Sequence, residues 1–592
     1  MAIKIMSEHL ANKIAAGEVV EKVVSIVKEL TENSVDAKST EIKIDLVESG
    51  LKEIKITDNG IGMNKEDAVL AFERHATSKI YTDDDLWNIN SLGFRGEALP
   101  SIASVSDIEL NTCHKDEEVG TYIHIKGGKI LETRESDGRV GTTFKITNLF
   151  YNTPARLKHL SSPYAELSNV IEYINKMSLS YPNIKFKLTN DNKEILNTDG
   201  GGRLLKIIKN MYGIDVAKRM IEVSGENDDY SIKGYISLPE VTRSNKNHMT
   251  TIVNGRVVKN STLYKTINEA YSNYKEDTRY PIVVLLIETD PSLLDVNIHP
   301  SKLDIKFSNF EELNNLIKET IDNSIKNKLL IPEIKVVKED SPKYENLTLN
   351  IERNTLEKEK AEYKNNLEKL INFNKEESNL EEENENDNHL IQEVEEEKKL
   401  PELYPVGLLL GTYIVCENEQ GIYLIDQHAA KERINYEHIS YLLSHPNNNT
   451  ISPLIPIVIE LPMNEYLIIK ENKEILDNLN IVTEEFGSSS LRVISHPTWF
   501  TESKEVDIMK GIIELIISKE KDFSLSKFND NLAKMVSCKM SIKANTFINK
   551  ESMESLINDL RKCKNPYNCP HGRPSIIHFN IYELEKMFKR SI

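Results

Sequence analysis

Across residues 333–401 the chain loses the apolar periodicity that a folded core requires, and this break constrains the fold more than any other feature. Lys, Glu and Asn dominate there, in runs such as NLEEENENDNHLIQEVEEEKK. Such a segment cannot bury enough apolar surface to offset its ordering entropy. It is expected to be a flexible, self-repelling acidic linker, with 355–375 open to transient helix. At 592 residues the chain also exceeds what one hydrophobic core supports, so about three or four domains are expected on either side of the break. The charge balance leads to the same place. Residues 376–397 hold eleven acids and no Lys or Arg, so removing them takes the formal charge from -19 to -19 + 11 = -8. Net charge therefore reports the linker and decides nothing about a nucleic-acid partner.

No apolar run approaches the roughly 18 to 20 residues of a membrane span. The N-terminal segment MAIKIMSEHLANKIAAGEVV lacks the regions of a secretory signal, and a cytoplasmic protein is expected. Five cysteines, Cys113, Cys416, Cys538, Cys563 and Cys569, lie far apart and read as reduced thiols, some of them candidate metal ligands. Apolar residues recur at helical spacing over 10–35, and Ile42, Ile44 and Leu46 then alternate along a half-buried strand. A second strand carries Ile54 and Ile56 into the turn Asp58-Asn59-Gly60, and further alternation marks 122–125 and 143–146. Residues 1–215 therefore read as an α/β sandwich. Residues 216–332 read as a second, smaller α/β domain, with strands at 230–238, 249–253 and 281–288 and a helix near 263–274. Order resumes at 402–592, where 412–417 and 422–425 form a hairpin pattern and 463–530 reads as an inserted outer subdomain. The fold class is multidomain α/β.

The segment KELTENSVDA (28–37) places Glu29, Asn33 and Asp36 on one helical face. A carboxylate beside an amide oxygen suits hydrolysis: Glu29 can deprotonate a water while Asn33 offers oxygen to Mg²⁺. In ITDNGIGM (56–63), Gly60 and Gly62 let backbone approach a planar base, and Asp58 can accept from an exocyclic amine. RHATSK supplies the polar lid residues Thr77, Ser78 and Lys79. GFRGEAL (93–99) supplies a Gly-rich turn opening a helix, where free N–H groups suit phosphate. Each piece alone has a plainer reading as a solvated helix face or a turn. In this order they resemble the GHKL ATPase superfamily of gyrase, the heat-shock chaperone, histidine kinases and MutL, and no Walker-type loop is present.

In the C-terminal part, DQHAAKERINYE (426–437) sets Asp426 near a helix N-cap, with His428 and Glu432 at i and i+4 and Glu437 further along. SCKMSIKAN (537–545) adds Cys538. NCPHGRP (568–574) adds Cys569 and His571, at a spacing that lets both face one centre from an extended strand. Imidazole, thiolate and carboxylate together can hold Zn²⁺ or Mn²⁺, whereas the bland reading of 426–437 is a capped helix with a surface ion pair.

Within the superfamily, IAAGEVV (14–20), GFRGEAL, GTTFKITNLFYNTPAR (141–156), VNGR (253–256) and VNIHPSKLDIKF (296–307) resemble the MutL mismatch-repair family over residues 1 to about 330. The DQHA segment, the Cys-Lys segment, the C-P-H-x-R segment and Phe588-Lys589-Arg590 resemble its endonuclease-bearing branch. The resemblance implies a GHKL ATPase domain, a ribosomal-protein-like second domain and a C-terminal dimerisation and endonuclease domain. It makes Glu29 the general base, Asn33 the Mg²⁺ ligand and Asp58 the adenine contact. Gly93, Arg95, Gly96, Glu97, Ala98 and Leu99 would wrap the phosphates of ATP, Thr143 would help hold the base, and Lys302 would reach the γ-phosphate. At the second site it implies Asp426, His428, Glu432, Cys538, Cys569 and His571 around Mn²⁺, Mg²⁺ or Zn²⁺, with Glu437 a supporting acid. It further implies a homodimer that acts on DNA without sequence preference, after a MutS-type mismatch sensor, nucleoid-associated during repair. The replication sliding clamp is a further partner, although Ser452 stands where the family's clamp peptide has Gln. Val23 stands where the family usually has proline, a change expected to loosen that helix. Two rival readings stay open, a non-nucleolytic ATP-dependent scaffold and another member of the ATPase superfamily. If the linker reading holds, limited trypsin digestion of the intact chain will cut first within 333–401, giving an N-terminal and a C-terminal fragment by mass spectrometry.

Overall fold

The computed structural model describes residues 19–80, 91–93, 96–275, 279–295, 305–330, 400–446, 449–518, 524–541 and 547–589. Arg95, Lys302, Arg590, most of IAAGEVV and nearly all of the acidic linker lie outside the described residues. The chain divides into a large unit, 1–331 with 402–592, and a small one, 332–401.

The N-terminal sheet domain opens on helix α1 (Val23–Asp36), whose Ile26, Val27 and Leu30 are buried at helical spacing. Beneath it runs an eight-stranded sheet in the order β5-β4-β3-β6-β2-β1-β7-β8. Its strands are β1 (Glu41–Val47), β2 (Glu53–Asp58), β3 (Asp107–Cys113), β4 (Gly120–Lys126), β5 (Lys129–Ser136), β6 (Gly141–Thr147), β7 (Lys185–Asn190) and β8 (Lys193–Asn197). The period-two alternation puts Ile42, Ile44, Leu46, Ile54 and Ile56 under the helices. The opposite face carries Glu53, Glu109 and Lys145, with Lys145 Nζ 3.1 Å from Glu109. Three further helices complete the layer: α2 (Lys65–Leu70), α3 (Ala98–Ser104) and α4 (Pro163–Ser180).

Helix α1 has no side-chain cap of its own, since Lys22 supplies none and its first turn holds no acid. The carboxylate of Glu166, from α4 and fully buried, takes that role: Oε2 accepts from Val23 N at 3.2 Å and Oε1 accepts from Ser161 N at 3.2 Å. The expectation that Val23 loosens this helix is therefore corrected. A proline there has no N–H to give, whereas Val23 is tied to Glu166 at the first residue of α1.

The second domain is a five-stranded sheet of β9 (Met220–Glu226), β10 (Tyr230–Ser237), β11 (Met249–Val253), β12 (Arg256–Val258) and β13 (Val283–Thr289), in the order β12-β11-β13-β10-β9. Helices α5 (Ser261–Ala270) and α6 (Phe310–Leu330) cover it, burying Leu263, Ile267, Leu313 and Ile317. The C-terminal region builds a four-stranded antiparallel sheet, β14-β15-β16-β20, from Tyr404–Leu409, Tyr413–Asn418, Gly421–Asp426 and Ile576–Asn580. The hairpin β15–β16 feeds helix α7 (Gln427–Ser444), capped by Asp426 Oδ1 on His428 N and Ala429 N. An inserted layer follows, with β17 (Ile457–Glu460), α8 (Met463–Glu471), β18 (Val482–Phe486), β19 (Ser490–Pro497) and α9 (Glu505–Ile517). Helices α10 (Leu525–Met540), α11 (Lys550–Lys562) and α12 (Ile581–Met587) complete it.

Replacing Glu166 by Ala leaves two N–H donors without their acceptor, that of Val23 in a buried position. A loss of about 2 kcal/mol is expected, read as a lower denaturant midpoint at unchanged slope.

Candidate functional sites

The face of α1 that holds Glu29, Asn33 and Asp36 looks onto the lid segment. Asn33 Oδ1 accepts from the Lys79 ammonium at 3.0 Å, and Asp36 Oδ2 accepts from it at 2.5 Å. Asp36 also accepts from Leu92 N at 3.0 Å and Gly93 N at 3.1 Å, so one carboxylate holds both the lid lysine and the start of the Gly-rich turn. Thr77 Oγ1 accepts from Lys79 N at 3.3 Å, and Ser78 lies between them. Glu29 is half-buried, and its carboxylate forms no hydrogen bond or ion pair among the described residues.

Asp58 closes the far side of the site at the end of β2. Its Oδ2 accepts from Ser34 Oγ at 2.8 Å, and its Oδ1 accepts from Gly60 N at 2.9 Å and Thr142 N at 3.3 Å. Thr143, one strand over on β6, pairs with Thr57 and donates to its hydroxyl at 3.3 Å. The glycines of DNGIG serve the packing of the domain itself. A Cβ on Gly62, at φ +69, would stand 1.9 Å from Cys113 O, and one on Gly60 would stand 2.8 Å from Ala37 O. Gly96 is bound similarly, with a Cβ there 2.4 Å from Ala76 O, and Glu97, Ala98 and Leu99 follow it into α3.

Two contributors carry no role in the sequence reading. Ser34 lies inside KELTENSVDA and orients Asp58. Arg256, the last residue of VNGR, donates from the second domain to Ser91 O beside the Gly-rich turn. Burial lowers the Arg256 guanidinium pKa from its ordinary value. The signal for Arg256 was the motif; its partner is 165 residues away and lies beyond any local pattern.

At the C-terminal site the ligand atoms of Glu432, Cys569 and His571 all lie within 4.8 Å of one another. Glu432 is buried on α7. Its Oε2 lies 3.3 Å from His571 Nδ1, and its Oε1 lies 3.3 Å from His428 Nε2, one helical turn earlier. Cys538 stands near the end of α10, outside that set, and Asp426 is engaged as the helix cap. One expectation is corrected: Cys569 and His571 do not lie on an extended strand. Gly572 N donates to Cys569 O at 3.0 Å, and Gly572 adopts φ +87, so a tight turn brings thiol and imidazole together.

Glu437 is committed elsewhere, accepting from Lys564 N at 2.7 Å and Asn565 N at 3.1 Å. Arg433 Nε donates to Asn568 O at 2.6 Å. Both therefore position the loop that delivers Cys569 and His571. Burial pushes the Cys563 thiol up to about 12 and the Cys416 thiol to about 11, so neither offers a thiolate at neutral pH. A buried thiol, an imidazole and a carboxylate suit a borderline cation such as Zn²⁺, and the donor set fits a metal.

Comparison with known proteins follows this division of the chain. Residues 21–140 match the model for histidine kinase-, DNA gyrase B- and HSP90-like ATPases. Residues 208–326 match that for the C-terminal domain of DNA mismatch repair proteins, and 406–547 that for the MutL C-terminal dimerisation domain. The DNA mismatch repair protein MutL of Anoxybacillus flavithermus is 44% identical over 606 residues, covering 99% of each chain. MutL of Listeria welshimeri is 43% identical over 596 residues, covering 99% of this chain and 98% of that one. With a GHKL-type ATPase domain, a mismatch-repair domain and a dimerisation domain in the family's order, the chain belongs to the MutL family of DNA mismatch-repair proteins.

Proposed function

We propose that this protein is an ATP-switched homodimer that couples mismatch recognition by a MutS-type sensor to repair and nicks DNA at a metal site in its C-terminal domain. The observation that carries the nicking is the convergence of Glu432, Cys569 and His571 within 4.8 Å inside the dimerisation domain. A scaffold that only closes around DNA has no chemical need for a buried thiol facing an imidazole and a carboxylate. In this reading Glu432, Cys569 and His571 hold the ion, with His428 and Asp426 beside them and Cys538 joining from α10. Mn²⁺, Mg²⁺ or Zn²⁺ bound there supplies Lewis-acid polarisation of a phosphodiester and a more acidic water. The chain's own part is positional: α7 presents His428 and Glu432, and Glu437 and Arg433 fix the turn opposite.

At the N-terminal site Glu29 serves as general base, and Asn33 and Asp36 face the nucleotide once Lys79 turns to the phosphates. Asp58, fixed by Ser34, Gly60 and Thr142, reads adenine beside Thr143. Gly93, Arg95 and Gly96 through Leu99 wrap the phosphates, and Lys302 supplies a second cation. DNA is held mainly through phosphate contacts, so binding weakens steeply with salt. Leu454 and Ile455, exposed at 103% and 83%, offer an apolar contact to the replication sliding clamp in the slot where Ser452 replaces Gln. Among the described residues, no helix is long and apolar enough to cross a membrane.

Glu29→Ala is expected to keep ATP binding and lower turnover about 100-fold or more, measured by phosphate release beside nucleotide titration. Asp426→Asn keeps an N-cap, because asparagine caps as well as aspartate, and is expected to abolish conversion of supercoiled plasmid to open circle in Mn²⁺. If neither wild type nor variant nicks while Glu29-dependent hydrolysis persists, the scaffold is the better account. Cys569→Ser is expected to lower bound zinc per chain, read by elemental mass spectrometry after dialysis.

A further inference from the structure

Helix α4 is gripped from two sides. On the side of α1, Tyr173 OH donates to Lys28 O at 3.3 Å, one residue before Glu29, and Glu166 caps Val23. Against its other contacts lies the inserted C-terminal layer. Ser168 Oγ donates to Asn464 O at 3.1 Å, and the Lys470 ammonium stands 5.9 Å from the centre of the Tyr164 ring. Leu167, Val170 and Ile174 of α4 belong to the same buried apolar cluster as Tyr466, Leu467 and Ile469 of α8.

Polar contacts flank this seam. His248, beside β11, places Nε2 3.3 Å from Glu465 Oε1 on α8, and each side chain is only 9% exposed. Burial pushes Glu465 up to about 7 and His248 down to about 3, so the contact is closer to a neutral hydrogen bond than to an ion pair. Arg279 of the second domain forks onto Glu514 of α9, at 2.7 and 3.2 Å. Helix α9 in turn packs on α10, which carries Cys538: Lys539 Nζ donates to Asp507 O, and Lys504 Nζ donates to Lys539 O.

We propose that the face of α4 turned away from α1 is a releasable docking surface for the chain's own inserted layer, α8 and α9, latched by Glu465–His248 and Glu514–Arg279. Each half keeps its own sheets and helices, so the two can part as folded units, and the buried polar pairs beside the apolar contact add register at little net stability. The 70 residues from 332 to 401 between the two halves span up to about 240 Å when extended, so release is sterically free. Docking stands whether or not the C-terminal site is a nuclease. Only its mechanical link to hydrolysis, through Tyr173 and α1, rests on the ATP-site reading.

The test uses the full-length chain with a benzophenone amino acid in place of Tyr164, prepared as an equal mixture of light and ¹⁵N-labelled protein. Irradiation should link position 164 to the peptide holding 463–471 within chains of one isotope. Glu514→Arg sets like charges face to face and should cut that yield at least fivefold. Adding Arg279→Glu reverses both charges and should restore it to within twofold, with circular dichroism unchanged throughout. Hydrogen exchange over 23–36 should quicken in the single variant and recover in the double. A yield indifferent to Glu514→Arg, a double variant that does not recover, or light–heavy links approaching half of the total, the share that random pairing between exchanged chains gives, would each overturn the proposal.

Discussion

The buried carboxylate of Glu166 is the contact from which the N-terminal architecture hangs. Helix α1 carries Glu29, Asn33 and Asp36, yet it begins with no side-chain cap of its own. Its first free N–H is met by Glu166, 143 residues further along the chain. A charged group in a fully buried position is tolerated only where donors meet it, and two backbone N–H groups do so here. The consequence reaches beyond local stability. Because α4 supplies the cap, the angle of α1 over the sheet follows the placement of α4, and with it the direction in which the three polar side chains look.

Charge on the polar face of α1 is balanced within the chain itself. Asn33 and Asp36 share the Lys79 ammonium, which forms an ion pair with the Asp36 carboxylate. Asp36 also gathers Leu92 N and Gly93 N, so the same carboxylate fixes the entry to the Gly-rich turn. Arg256 touches the carbonyl of Ser91 at the head of that turn, so the second domain reaches the same loop.

What the sequence reveals is what repeats within a few residues. Alternation located Glu41–Val47 and Glu53–Asp58, and helical spacing located α7 together with its Asp426 cap. Tyr404–Leu409 escaped because YPVGLL shows no alternation, its proline and glycine interrupting the pattern at a bulge. The polar pairs escaped for a different reason. Glu166 with Val23, Arg256 with Ser91 and Glu465 with His248 join residues far apart in the chain, and nothing in the local pattern of either partner reveals the other. Family motifs named the site residues but left their supports unnamed. Ser34 and Arg433 sit inside quoted motifs, and only the fold shows that they hold Asp58 and the Cys569 turn; Glu437 was read as a supporting acid, and the fold shows that it supports the loop backbone.

The C-terminal site shows why such supports matter. A thiol and a carboxylate brought within 4.8 Å are unfavourable neighbours once the thiol ionises, and the turn bearing Cys569 and His571 would spread if nothing held it. Two features of α7 oppose this. His428 and His571 both approach Glu432, one on each oxygen, so its charge has hydrogen-bonding partners without a metal. Five residues beyond each of His428 and Glu432, Arg433 and Glu437 bind the loop backbone at Asn568, Lys564 and Asn565. The helix thus presents ligands from one turn and clamps from the next. For a site arranged in this way, little ordering of the chain is left for a bound ion to drive, and the donors themselves would govern its affinity.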